Sequence, residues 1–317
     1  MQTTQDVRLL FDIAAQEYDA IRDPWYTWLY ARLHLLIAEQ LALFRSQQMV
    51  LDIGCGTGFQ SFLYSYTGHD VVGIDISPEL LKIASQKSQA VDRLCNFLVP
   101  TNFPFARTIE RRVKALVYRH RVFFPRRPSF VIGDAKALPL PDAVVDHINC
   151  CGSTLSLIAD YRSALCEMAR VLKPNGTFII EVEARFNADL LWTLIDTMIG
   201  GRIGYGLTFK EACSLLKGPM QEHVTIRYPL RDVANQLLLE LILFNATKLK
   251  RELSELGLQP KKIRSIHSIT NLLPSTICSR PIQSRWLPLA FGVLAKMEQL
   301  CPWRLPGCSL VLVGSKK

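Results

Sequence analysis

Met49-Val-Leu-Asp-Ile53 runs straight into Gly54-Cys-Gly-Thr-Gly58, and Phe59-Gln-Ser-Phe-Leu-Tyr-Ser-Tyr66 follows without a break. A short apolar run reads as a buried strand, and the octapeptide closed by Gly68 reads as a helix. Between them the glycines let the backbone approach a ligand where a Cβ would clash. Twenty-one residues after Gly54, a second strand, Val71-Val-Gly-Ile-Asp75, ends in a carboxylate. A glycine turn after one strand and an acid at the end of the next place that acid beside a ligand's ribose hydroxyls. The spacing is G-x-G-x-G behind Asp52, and not G-x-G-x-x-G.

Outward from this turn, strand and helix alternate. Trp25–Leu43 reads as an amphipathic helix. Pro78 opens a helix over Glu79–Gln89, Phe130–Ile132 and Val144–Asn149 are further strands, and Asp160 caps a helix to Leu172. Lys173-Pro-Asn-Gly176 reads as a turn, and Thr177–Val182 as the fifth strand. The last third predicts a helix over Leu237–Leu256 and strands at Lys262–Ile269 and Ser309–Gly314. This alternation predicts an α/β fold with a parallel sheet covered on both faces. Three long interruptions, Arg93–Pro128, Ala184–Asn235 and Thr270–Gly307, exceed ordinary connections and suit lids or binding loops.

Composition narrows the class. The chain has 317 residues, 49% apolar and 21% charged, which excludes disorder and gives ample core. Nine cysteines form no Cys-x-x-Cys pair, so no metal site is expected. The start, Met1-Gln-Thr-Thr-Gln-Asp6, has no signal-peptide pattern, and with the free cysteines it predicts a reducing, cytoplasmic setting. No apolar run reaches the ~20 residues a spanning helix needs.

Four further stretches make the sequence legible as a family. Gly73-Ile-Asp-Ile-Ser-Pro-Glu-Leu-Leu81, Gly133-Asp-Ala-Lys-Ala-Leu-Pro-Leu-Pro-Asp142 and Ala164-Leu-Cys-Glu-Met-Ala-Arg-Val-Leu-Lys-Pro-Asn-Gly176 follow Leu51–Gly58 in order. Phe11-Asp-Ile-Ala-Ala-Gln-Glu-Tyr-Asp19 precedes it. With these the chain resembles the class I S-adenosylmethionine-dependent methyltransferases, in the small-molecule branch of quinone and sterol enzymes, over roughly residues 8 to 183. The resemblance implies a Rossmann-like, seven-stranded, mostly parallel sheet. Residues 1–48 would be lid helices, 49–183 the cofactor core with the insertion 93–128, and 184–317 the completion of the sheet with substrate-binding insertions. S-adenosyl-L-methionine would be the cofactor. Gly54, Cys55, Gly56 and Gly58 would line its methionine end with Asp52 around the amino group. Asp75 and Ile76 would meet the ribose, Asp134 and Ala135 the adenine, and Asn149 and Cys150 the methionine part. His147 departs from the family's apolar residue there and reads as a core histidine.

The acceptor side is expected at the ends of the fifth and sixth strands, where His267 and Glu183 are the candidate general bases. Trp192, Phe209, Leu272, Leu273, Trp286, Phe291 and Trp303 in the insertions favour an apolar small-molecule acceptor, leaving methylation of oxygen, nitrogen or carbon open. The insertion 93–128 holds nine Lys and Arg against the single Glu110, nearly the whole net charge of +9. Within it Thr108–Phe124 reads as a helix with Ile109, Val113, Leu116, Val117, Phe123 and Phe124 on one face and Arg111, Lys114, Tyr118 and Arg121 on the other. That pattern suits either a solvated cap on the domain or peripheral contact with an anionic membrane. RNA is disfavoured, because the charge sits on one short element and the Asn-Pro-Pro-Tyr and Pro-Cys motifs of base-modifying enzymes are absent. The remaining alternatives are an RNA methyltransferase and a non-catalytic cofactor-binding scaffold.

Overall fold

The computed structural model describes residues 3–20, 23–44, 46–89, 103–120, 122, 126–217, 222–229, 238–279, 286–300 and 305–317. In chain order the elements are α1 (Thr4–Ala14), α2 (Pro24–Leu41), β1 (Met49–Ile53), α3 (Phe59–Tyr66), β2 (Asp70–Asp75), α4 (Pro78–Ser88), α5 (Pro104–His120), β3 (Ser129–Ile132) and β4 (Val145–Cys150). Then come α6 (Tyr161–Val171), β5 (Leu172–Glu183), α7 (Asp189–Met198), α8 (Phe209–Lys217), β6 (Val224–Pro229) and β7 (Leu238–Leu243). The chain ends with α9 (Ala246–Glu255), β8 (Leu258–Ile266), α10 (Ser275–Cys278), α11 (Trp286–Leu300) and β9 (Ser309–Lys316).

Seven strands form one sheet in the order β3-β2-β1-β4-β5-β9-β8. β1 to β5 are mutually parallel, and β9 runs against both β5 and β8. The strand order reverses direction at β1 and β4, which opens a crevice beyond their carboxyl ends. The strands are apolar because both faces are covered. Val50, Phe62, Ile179 and Val311 belong to one core, and Leu51, Ile148, Leu165 and Ile180 to the other.

Local sequence explains the helix starts. Ser77 Oγ accepts from Leu80 N at 3.1 Å ahead of Pro78, and the Asp160 side chain accepts from Ser163 N. Three expectations need correcting. Leu237–Leu256 is not one helix: Leu238–Leu243 pairs antiparallel with Val224–Pro229 as a separate hairpin, and Asn245 then caps α9. A leucine-rich run carries no period that separates strand from helix. Lys173–Gly176 lies within the span of β5, where Asn175 takes a left-handed φ of 63° beside a register shift, so the turn is a strand irregularity. The basic helix starts at Pro104, a residue suited to a first turn, and not at Thr108.

That helix, α5, lays Ala106, Ile109, Val113 and Val117 against α2 inside the core and leaves Arg107, Arg111, Arg112 and Arg119 exposed. Its apolar face is therefore in the protein, and only its basic face meets solvent. Arg93, Phe97, Arg121, Phe123, Phe124, Asn235 and Trp303 lie outside the described residues. No described helix is long and apolar enough to cross a membrane.

Candidate active site

The crevice at the strand reversal holds a cavity of about 500 Å³. Its floor is built from the ends of three strands and the loops after them: Ile53–Thr57 after β1, Ile74–Ile76 after β2 and Gly133–Lys136 after β3. Cys151, Gly152 and Thr154 close the side beyond β4, and Leu157–Asp160 continue that wall. Thr3–Gln5, Val7 and Phe11 of the α1 region form the roof with Tyr18, and Tyr30 enters from α2.

The glycine turn has the conformation its composition requires. Gly54, Gly56 and Gly58 have φ of 67°, 53° and 85°. A Cβ on Gly54 would lie 2.2 Å from Thr154 Oγ1, so any larger residue is both strained and blocked. Asp75 fixes the turn from the next strand: Oδ2 accepts from Gly56 N at 2.8 Å and Oδ1 from Ser77 N at 2.9 Å. Burial pushes its carboxyl above the ordinary range while these two bonds pull it back. At the far end, Asp134 Oδ1 accepts from Lys136 N at 2.9 Å.

The roof is strapped down by polar contacts. Ser77 Oγ donates to Asp12 Oδ1 at 2.6 Å and Thr57 Oγ1 to Asp19 Oδ1 at 2.5 Å. Lys87 pairs with Asp19, and Lys136 Nζ donates to Thr4 Oγ1 at 3.0 Å. The phenol oxygens of Tyr18 and Tyr30 are 3.3 Å apart.

Of the residues expected to hold a cofactor, Gly54, Cys55, Gly56, Asp75, Ile76, Asp134 and Ala135 line the cavity together. Asp52, Gly58, Asn149 and Cys150 do not. Asp52 is buried beneath the turn, accepting from Ser61 Oγ at 2.5 Å and Asn149 Nδ2 at 2.7 Å, and burial pushes it up to about 6. Asn149 also donates to Gln60 Oε1 at 2.6 Å, and Gln60 is the group that reaches the cavity. Gly58 ends the turn against Phe130, and Cys150 points into the core so that Cys151 takes the wall position. His147 is a core residue, bonded to Tyr64 OH at 2.9 Å and Thr177 Oγ1 at 2.7 Å.

Neither candidate base faces the cavity. His267 is fully buried, stacked on Trp25 with ring centroids 3.6 Å apart, its Nδ1 bonded to Thr270 Oγ1 at 2.9 Å. Burial lowers it to about 3, so it stays neutral in the fold. Glu183 sits one layer behind the wall, accepting from Ser153 Oγ at 2.7 Å, with burial and the adjacent Glu181 raising its carboxyl. The insertion aromatics also go elsewhere: Phe291 is core and Trp192 bonds Asn271 O, while Val7, Phe11, Ile53, Phe59 and Ile158 supply the apolar lining. The sequence reading missed Tyr30, Gln60 and Leu157–Asp160. α2 is buried almost all round, so no stripe marks Tyr30 as a cavity residue.

His267→Asn should therefore leave any activity at the cavity intact. Asn tolerates the left-handed φ of 61° at this position. Because the unfolded histidine takes a proton below pH 6.5 and the folded one does not until about 3, wild-type stability carries a slope near 1.4 kcal/mol per pH unit in that window from this group. Denaturant titrations at several pH values should show the variant losing about that slope. An unchanged slope refutes the neutral buried assignment.

Two methyltransferase-domain family models match the chain, at residues 50–108 and 111–180. The demethylmenaquinone methyltransferase of Symbiobacterium thermophilum is 29% identical over 178 residues, 55% of this chain and 58% of that protein. The malonyl-[acyl-carrier protein] O-methyltransferase of Serratia marcescens is 27% identical over 185 residues, 57% and 53% of the two chains. In both cases the match spans little more than half of the relative's length. Among solved structures, the [4+2]-cyclase SpnF has a TM-score of 0.54 at 17% identity, covering 99% of this chain and 97% of that one. A protein from Pyrococcus horikoshii OT3 has a TM-score of 0.51 at 17% identity, covering 96% and 94%. These likenesses show the fold, and a fold shared with a cyclase does not by itself assign a reaction. The strand order, the glycine turn and the two matched stretches make the chain similar to methyltransferase domains over residues 50–108 and 111–180.

Proposed function

We propose that this chain transfers the methyl group of S-adenosylmethionine to a small, apolar acceptor of the isoprenoid, quinone or aromatic kind. The observation that carries this reading is the left-handed glycine turn held by Asp75 at the mouth of the strand reversal. The residues fit the cofactor: Gly54 and Gly56 leave the backbone open where a Cβ would fill the site, and Asp75 presents a carboxylate for vicinal hydroxyls. Asp134 and Ala135 would hold the adenine end, and Gln60 with Cys151 and Gly152 the opposite end. When bound, the cofactor supplies an electrophilic sulfonium methyl.

The chain's own contribution is positioning and exclusion of water. The α1 region roofs the cavity, and the apolar lining favours an acceptor without charge. A carbon or oxygen acceptor gives up one proton as it gains the methyl. Among the described residues the wall near Gly152 holds no histidine, and neither His267 nor Glu183 lines the cavity, so the proton is released to solvent and orientation carries the rate. The relatives named for demethylmenaquinone and malonyl-acyl-carrier-protein methylation support a small-molecule acceptor. We read the protein as cytoplasmic and peripheral to an anionic membrane, supported by the exposed arginines of α5.

Incubation with methyl-labelled cofactor and a panel of demethylated quinones and phenols should label an apolar product and release S-adenosylhomocysteine. Activity confined to bulk RNA, with a steep inverse salt dependence, would overturn the acceptor class. Binding of S-adenosylhomocysteine with no turnover of any acceptor would leave the scaffold reading, and failure to bind cofactor at all would overturn the proposal.

A further inference from the structure

We infer that the outer face of α11, with an arginine-lined cleft at its C-terminal end, docks the protein on an anionic membrane surface by insertion. On α11, Trp286, Leu289, Val293, Met297 and Leu300 are 78%, 61%, 62%, 49% and 81% exposed. At ~100° per residue these five side chains fall within about 80° of one another, a continuous apolar stripe roughly 22 Å long. The helix is not exposed because it is loose. Its opposite face buries Phe291, Ala295 and Glu298, with Phe291 5.2 Å from the Phe105 ring and Glu298 Oε1 accepting from Trp28 Nε1 at 2.9 Å. Leu272, in the 3₁₀ turn packed on α11, adds a further apolar side chain that is 58% exposed.

The charges beside the stripe choose the occupant. A cleft of about 260 Å³ lies between α2, α5, β8 and the end of α11, and Arg32, Arg112 and Arg264 line it with Glu39 and Gln299. Three guanidinium groups and the carboxylate of Glu39 thus meet at a site that borders the stripe. Arg112 already bonds Glu39 at 2.9 Å. Burial lowers Arg32 to about 10, so it remains charged at neutral pH. Exposed Arg107, Arg111 and Arg119 extend the basic surface along α5, and α11 itself exposes Lys296 and no acid. A second copy of this chain, net +9, would bring like charge to like charge. An anionic bilayer answers both parts: acyl chains for the stripe and lipid phosphate for the guanidinium cleft. α2 links this face to the cavity, since Trp28 bonds α11 while Tyr30 lines the cavity wall. The inference stands without the methyl-transfer reading.

The full chain should sediment with vesicles of phosphatidylcholine and phosphatidylglycerol at moderate salt and ignore phosphatidylcholine alone. Brominated acyl chains should quench its tryptophan fluorescence. Leu289→Glu with Val293→Glu should lower the partition at least tenfold, and Arg112→Ala with Arg264→Ala should lower it severalfold, with melting temperature and S-adenosylhomocysteine affinity unchanged in both. Partition of the Leu289→Glu/Val293→Glu protein equal to wild type overturns the inference. So does a wild type that ignores anionic vesicles, or a wild-type dimer that the α11 variants dissociate. If those variants fail to fold, absence of bromolipid quenching in wild type overturns it independently. Loss of cofactor binding with vesicle binding retained counts against the methyl-transfer reading alone.

Discussion

Asp75→Ala is expected to weaken S-adenosylhomocysteine binding at least 100-fold, read by titration calorimetry on folded protein. The carboxylate does two things. It accepts from Gly56 N and Ser77 N at 2.8 and 2.9 Å, which sets the glycine turn, and it lines the cavity where a ribose would sit. Hydrogen bonds to a charged group contribute about 1.5–3 kcal/mol each, and Ala leaves two backbone donors without their acceptor. Asp75→Asn should rescue little. One end of the amide is a donor, and both ends of the side chain already face N–H groups. Acid should mimic the substitution. The carboxyl lies above its ordinary 3.8, so protonation begins at higher pH than for an exposed aspartate, and affinity should fall as pH drops into that range. Unchanged affinity in Asp75→Ala would remove Asp75 from the site.

The glycine turn was the most legible part of the chain because its signal is stereochemical. Left-handed φ at Gly54 and the closeness of Thr154 admit only glycine, and a strand must precede such a turn for the acid of the next strand to reach it. Asp52 shows the limit. Its place in the motif suggests a ligand contact, yet it lies under the turn and acts through Asn149 and Gln60. A linear sequence does not tell a residue that touches a ligand from one that orients its neighbour. His267 failed for a related reason. Proximity to a strand's carboxyl end places a residue near the crevice but leaves the direction of its side chain to tertiary packing, here the stack on Trp25. The separate hairpin of β6 and β7 was hidden because the partner strands are six-residue runs whose pairing, not their period, decides their state.

Glu298→Ala is expected to cost about 3–5 kcal/mol of stability at neutral pH, measured by urea unfolding. The side chain is 4% exposed and accepts from five donors on two segments, α2 and residues 267–270. Oε1 takes Trp28 Nε1 at 2.9 Å and His267 N at 3.1 Å. Oε2 takes Ile269 N at 2.9 Å, and Thr270 N and Oγ1 at 3.0 Å. Truncation strands these buried donors, each costing about 1–3 kcal/mol, with relaxation preventing full additivity. Glu298→Gln keeps the shape but turns one acceptor into a donor facing N–H groups, so it should cost at least ~1.5 kcal/mol. The pH dependence separates charge from packing. Burial opposes the carboxylate, but the hydrogen bonds donated by Thr270, Trp28 and Ile269 outweigh it and hold the group below its ordinary 4.5. A depressed folded value means the stabilisation is complete above the unfolded value and lost as pH falls through the folded one. The gap between wild type and Glu298→Gln should therefore be constant near neutrality and narrow below about pH 4.5. A gap independent of pH would mean that Glu298 acts by filling space. The same joint ties the α11 face to α2 and its cavity residue Tyr30, so Glu298→Gln should also weaken vesicle partition and cofactor affinity together, where the surface substitutions on α11 weaken only the first.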